Sequence, residues 1–157
     1  MYHAADMNPR NHLPDPEHDT QFYDGVPSKR LAAWVIDFLI IGAMTVAVTL
    51  PLGILTLGFG FVFFPAILFL ATFFYRTLTI ASASATWGMR MMGIEFRTRQ
   101  GHRMDLLTAA IHTGIFMFLM ASIIGWIATV AAILMTRYNQ GLPDLVLVTT
   151  AINRPLD

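Results

Sequence analysis

The run FLIIGAMTVAVTLPLGILTLGFGFVFFPAILFLATFFY, residues 38–75, is 38 residues long and holds no Asp, Glu, Lys, Arg or His. As a helix rising about 1.5 Å per residue it is nearly twice as long as a hydrocarbon layer of roughly 30 Å requires. Such a run must fold back on itself inside a membrane. A second apolar stretch, Leu106 to Thr136, is interrupted only by His112. Composition agrees, because 55% of residues are apolar, 13% are charged and the net charge is zero. A soluble domain of this size would lack polar surface.

The absence of cysteine excludes disulfides, thiolate metal sites and cysteine nucleophiles. Residues 1–28 carry Asp6, Asp15, Glu17, Asp19 and Asp24 against Arg10 and have no apolar core of the secretory kind. The first membrane helix is therefore expected to act as its own insertion signal. Rich in Pro, Asp, His and Asn, this segment reads as a disordered cytoplasmic tail. His12, Asp15, Glu17, His18 and Asp19 cluster without a ligand spacing, so no metal site is assigned.

Lys29 and Arg30 precede LAAWVIDFLIIGAMTVAVTL, residues 31–50, a first crossing expected to end at Pro51. Gly53, Gly58 and Gly60 mark a turn. A second crossing over 57–76 closes with Phe73, Phe74, Tyr75 and Arg76, an aromatic girdle and a cation at the bilayer exit, with Pro65 kinking it. Arginine is concentrated at positions 76–105 and absent from the 51–60 turn, which places the N-terminus and the central loop in the cytoplasm. The last run, 31 residues, would span about 46 Å as one straight helix. Either it is one tilted helix with an exported C-terminus or it is a hairpin of two short helices, about 106–123 and 125–138, turning near Gly125 and Trp126. GIEFRT (93–98) and LVLVTTAI (145–152) read as strands. If they pair, they lie on one side of the membrane, which favours the hairpin and a cytoplasmic C-terminus.

The expected fold class is an all-α membrane protein: a bundle of three to four transmembrane helices with a short cytoplasmic interfacial helix and a small β element. The membrane domain covers 29–152, with a C-terminal tail over 153–157. The loop SATWGMRMMGIEFRTRQGHRMD supplies the interfacial helix, with Gly88 and Gly93 allowing a change of direction, and leads into a hairpin turned at Arg99, Gln100 and Gly101.

Asp37 lies seven residues into the first helix, roughly 10 Å deep, where an unpaired carboxylate is costly. Arg30 lies on the same helical face and is one candidate partner. A structural anchor and a proton or cation relay are the two readings, and with no second carboxylate inside the membrane runs the anchor is favoured. His112 is a secondary candidate, either hydrogen-bonded to a neighbouring helix or carrying protons. Small residues spaced by four, such as Ala43/Ala47 and Ala110/Gly114, permit close helix packing. No phosphate-binding loop, zinc-ligand helix or nucleophile elbow is present, so neither an enzyme nor a cofactor is expected. Basic residues beside a membrane contact lipid phosphate, which argues against nucleic acid as a partner.

Three blocks in order, PSKRLAAWVIDFLI, SATWGMRMMGIEFRTRQGHRM and LPDLVLVTT, resemble the RDD family of small bacterial membrane proteins over about residues 27–152. The resemblance places the family's naming arginine and two aspartates on Arg30, Asp37 and Asp144. Met89 stands where a lysine is common in the family and His112 where an arginine is common, both departures removing basic character. The resemblance implies a bacterial inner-membrane protein, and for some members exchange of sodium or other cations for protons has been proposed. It also implies that Asp144, returning to the cytoplasmic face, meets Arg30 beside Asp37. The function expected is a non-catalytic accessory or assembly subunit that packs against other membrane chains or itself. Cation/proton transport as an oligomer is the alternative.

Overall fold

The computed structural model describes residues 13–154. Helix α1, Val26–Leu55, starts with Pro27 in its first turn, where a missing N–H leaves no bond unmade. Its buried positions Val26, Ala33, Asp37, Ile41, Thr45, Thr49 and Gly53 follow each other at one step of seven residues and then steps of four, and form one face. The helix starts before the expected residue 31 and runs through Pro51. Only four residues follow that proline, so the bond it cannot donate, to the Ala47 carbonyl, is lost near the end of the helix. The reversal that follows is tight: a Cβ on Gly60 would come within 2.7 Å of the Leu52 carbonyl, so this crossing of two backbones demands glycine.

Helix α2 spans Phe64–Ala83. Pro65 sits in its first turn, so the expected kink is absent, and α2 continues seven residues past the expected exit at 76. Arg76 is consequently buried mid-helix instead of marking the bilayer boundary. An aromatic run followed by arginine imitates a girdle, but here the guanidinium packs over the Phe116 ring at 3.9 Å. Among the described residues, two segments are long and apolar enough to cross a membrane, Thr20–Leu55 and Phe59–Ala83, each including the 3-10 turn before its helix.

Helix α3, Trp87–Met91, is capped by the Thr86 hydroxyl, which accepts from Met89 N–H, and packs on α1. Strand β1, Ile94–Thr98, pairs antiparallel with β2, Thr149–Asn153, in the register Ile94↔Asn153 to Thr98↔Thr149. The turn after β1 lies where expected, with Gly101 N–H donating to the Thr98 carbonyl, but no second strand follows it; the partner comes from the far end of the chain. Nor does the second strand begin at 145. Residues Leu142–Leu147 instead form helix α6, started by Pro143 in its first turn and by the Asp144 carboxylate accepting the Gly141 N–H.

Between the strands lie α4, Leu106–Met120, and α5, Ile123–Met135, bent by 119°. The break falls at Ala121 and Ser122, earlier than Gly125 and Trp126, because the Ser122 hydroxyl caps α5 by accepting Gly125 N–H. Since β1 precedes this pair and β2 follows it, the chain leaves the sheet and returns to it. The close-packed core, including Ala33, Ile80, Met89, Ile94 and Phe96, gathers at this sheet end of the long helices.

The segment read as a tail is packed over its described part. Phe22 and Tyr23 bury against Ile152 and Tyr138, Asn153 donates to the carbonyls of Gln21 and Asp24, and Lys29 Nζ donates to Asn153. Arg137 bridges Asp15 and Glu17 at 3.1 Å. These partners are more than a hundred residues away, which is why local composition suggests disorder. His12, and residues 155–157 of the expected C-terminal tail, lie outside the described residues.

The Arg154 N–H donates to the Gly93 carbonyl, so the 98↔149 pair occupies a closely spaced, non-hydrogen-bonded position. In this cysteine-free chain, Thr98→Cys with Thr149→Cys is expected to close a disulfide on mild oxidation, seen as faster migration without reductant. Thr98→Cys with Val148→Cys should remain open. The opposite pattern would mean a register shifted by one residue.

Candidate functional site: two buried ion pairs at one cavity

Asp144 is fully buried at the start of α6. Arg30 Nη2 approaches one of its oxygens at 2.6 Å, His112 Nε2 the other at 2.7 Å, and the Gly141 N–H adds a third bond at 2.9 Å. Burial alone would push the Asp144 carboxyl up, but Arg30, His112 and the Gly141 N–H together hold it well below the usual carboxylate range. Phe96 from β1 lies against both side-chain partners, 5.5 Å from the Arg30 guanidinium and 4.8 Å from the His112 ring. One carboxylate thus ties the start of α1, the first half of α4 and α6 to the sheet.

Asp37 is the second buried carboxylate, and Arg30 is not its partner. Arg30 is taken by Asp144, and two turns of helix separate its Cα from that of Asp37. Oδ1 of Asp37 accepts the Tyr75 hydroxyl at 2.6 Å and the Gly88 N–H at 2.9 Å, while Oδ2 lies 3.9 Å from Arg76 Nη1. The Tyr75 oxygen in turn accepts the Trp87 N–H. Gly88 makes this possible: a Cβ there would sit 2.9 Å from Asp37 Oδ1 and collide with the Ala33 carbonyl. Its role is close approach of α3 to α1, not a change of chain direction.

The three predicted residues therefore form two clusters. Arg30 and Asp144 meet, and Asp37 belongs with Tyr75, Arg76 and Gly88. Both clusters border one cavity of about 480 Å³, which Arg30, Asp37, Arg76 and His112 line on its polar side. Trp34, Phe116, Met120 and Trp126 are among its apolar walls. His112, the secondary candidate, lies in the first cluster as a hydrogen-bond partner. Tyr75 and Arg76 escape sequence reasoning because they follow an aromatic run; the available signal was that Arg76 closes the uncharged stretch that Asp37 opens. Glu95, fully buried and held by Arg97 and Arg154, was also invisible, since a strand pattern does not mark which face is covered.

Chemically, both carboxylates are held by protein donors, Asp144 at both oxygens and Asp37 at Oδ1, an arrangement that fixes helices against each other. Asp37→Asn keeps an acceptor for Tyr75 and Gly88, whereas Asp37→Leu strands both donors at roughly 1–3 kcal/mol each. Thermal unfolding in detergent is expected to rank wild type above Asn and Asn well above Leu. Asp144→Asn removes the counter-ion of a buried arginine and should cost about 3–5 kcal/mol. Because the folded Asp144 carboxyl is depressed, its stabilisation is complete above the unfolded carboxylate range and is lost as pH falls below about 4. That acid-side loss should be smaller in Asp144→Asn, as unfolding temperatures measured across pH 3–6 would reveal.

Neither curated proteins nor solved structures yield a match to this chain. A family model described as the RDD family matches residues 25–147, more than half of the chain, and spans Arg30, Asp37, His112 and Asp144. With two helices long and apolar enough to cross a bilayer, this is a membrane protein, and it belongs to the RDD family.

Proposed function

We propose that the protein is a non-catalytic, non-transporting scaffold of the bacterial inner membrane, an accessory or assembly subunit that packs against other membrane chains. The observation that carries this reading is the distribution of ionisable side chains. Arg30, Asp37, Arg76, His112 and Asp144 gather at the sheet end of the helices, while residues 38–74 and 113–136 contain no Asp, Glu, Lys, Arg, His or Tyr. A proton or cation relay needs polar groups through the full thickness of the hydrocarbon layer, and the far half of each helix has no ionisable group. Charge paired at one end suits an anchor that sets helix angles and leaves broad apolar faces for lipid and partner helices.

The same asymmetry supports an orientation. Lys29, Arg30, Arg90, Arg97, Arg99, Arg103, Arg137 and Arg154 belong to the sheet end, and the reversals at 51–60 and 121–122 have no charge. The reading is two crossings, α1 and α2, and a re-entrant pair, α4 and α5, with both termini cytoplasmic. At 15 and 13 residues, α4 and α5 are each shorter than the roughly 20 residues a single crossing requires.

In vesicles reconstituted with the purified protein, no cation-dependent proton movement above empty vesicles is expected, and mild-detergent purification should recover a further membrane chain in fixed proportion. Flux in the wild type that vanishes in Asp37→Asn would overturn the scaffold in favour of transport. Reporter fusions after Asp157 should give a cytoplasmic signal; a periplasmic one would exclude the re-entrant pair.

A further inference from the structure

We propose that the cavity between α1, α4 and α5 binds a single-chain amphiphile whose oxyanion head is held by Arg76. This goes beyond the scaffold reading and does not depend on it. The starting observation is a buried guanidinium without hydrogen bonds. Arg76 is 7% exposed, its Nε has no partner, and no hydrogen bond to any of its nitrogens is formed among the described residues. Its ion pair with Asp37 spans 3.9 Å, because that carboxylate is drawn instead to the Tyr75 hydroxyl and the Gly88 N–H. Phe116 covers one face of the guanidinium, which leaves its N–H edge as the binding element. Arginine carries five donors in a planar fork matched to two oxygens of a carboxylate or phosphate. The other arginine at the cavity, Arg30, is already matched by Asp144 at 2.6 Å.

The rest of the cavity describes the remainder of the ligand. Its walls beyond the polar side are apolar, with Trp34 on α1, Phe116 and Met120 on α4, and Trp126 and Val130 on α5. Leu31 and Leu134, which line it too, are 62% and 67% exposed, so the mouth opens through a surface that faces acyl chains in a membrane protein. A ligand entering there arrives from the lipid phase with an apolar body, and only an oxyanion head completes Arg76. About 480 Å³ lies in the range of drug-sized ligand pockets and suits one chain better than two.

Tryptophan placement provides the readout, since Trp34 and Trp126 line the cavity and Trp87 does not. The full chain in phosphatidylcholine nanodiscs is titrated with dibromostearate, and in a second arm with a brominated lysophosphatidate, both of which quench tryptophan on contact. With Trp87→Phe, saturable quenching at one equivalent is expected in at least one arm, and the arm that responds identifies the head. With Trp34→Phe and Trp126→Phe combined, the remaining Trp87 should show only weak, unsaturable quenching. Unbrominated ligand should compete, while methyl stearate, acetate and inorganic phosphate should not. Arg76→Gln is expected to raise the half-saturation point at least tenfold. Should that variant fail to fold, Val130→Phe, which narrows the cavity and leaves every charge in place, should abolish saturable quenching at an unchanged melting temperature. Absence of saturation in both arms, equal competition by the methyl ester or by the free head groups, or quenching indifferent to both Arg76→Gln and Val130→Phe would overturn the proposal.

Discussion

A charge removed from water in a membrane domain is strongly unfavourable unless another charge and further donors meet it, and the Arg30–Asp144–His112 contact is this chain's principal answer to that constraint. Asp144 accepts from α1, α4 and the turn before α6 at once, with distances between 2.6 and 2.9 Å. These three elements, which also share apolar packing, are held together at one point. Helix α6 leads directly into β2, which pairs with β1. The N-terminal segment then packs on the sheet through Asn153, Phe22 and Tyr23.

Asp37 works in the same way on α2 and the short α3. Its hydrogen bonds join α1 to Tyr75 of α2 and to the backbone of α3, so the angle between the two long helices and the seat of the loop helix depend on one side chain. Gly88 is the steric condition for this arrangement. Its neighbour Arg76 is treated differently from Arg30. Both arginines are paired with an aspartate, but the partly buried Arg30 has a direct bond, and the buried Arg76 has a 3.9 Å separation and an aromatic face. That inequality gives the cavity a vacant donor edge and separates an architectural cluster from one suited to a ligand.

A fold whose ionisable groups collect at one end and whose apolar faces cover the rest has the properties of an anchor. The sheet end resembles a small water-type core, close-packed around Val26, Ile80, Ile94 and Phe96. The long helices beyond it present leucine, phenylalanine and valine outward, as Leu39, Val48, Leu50 and Phe69 do. Rigid chemistry at one end and a lipid-compatible surface at the other is consistent with a protein that holds neighbours or an amphiphile in place.

Membrane character was legible without any structure, because an uncharged run of 38 residues is a property of length and hydration alone. So were the two long helices and the strand character of both paired segments, since period and β-branching are local, while the pairing itself was only a condition on the topology. That Asp144 meets Arg30 came from family resemblance and not from spacing. The partner of Asp37 was not legible: Tyr75 and Arg76 lie 38 and 39 positions away, and only the rotation of α2 about its axis decides which of its residues face α1. The packing of residues 13–25 was a tertiary decision as well, whereas the break at Ser122 and the start of Leu142–Leu147 rest on caps three residues long. The packing depends on apolar surface and acceptors brought from a distant part of the chain, and a local reading of composition and period carries no record of such contacts.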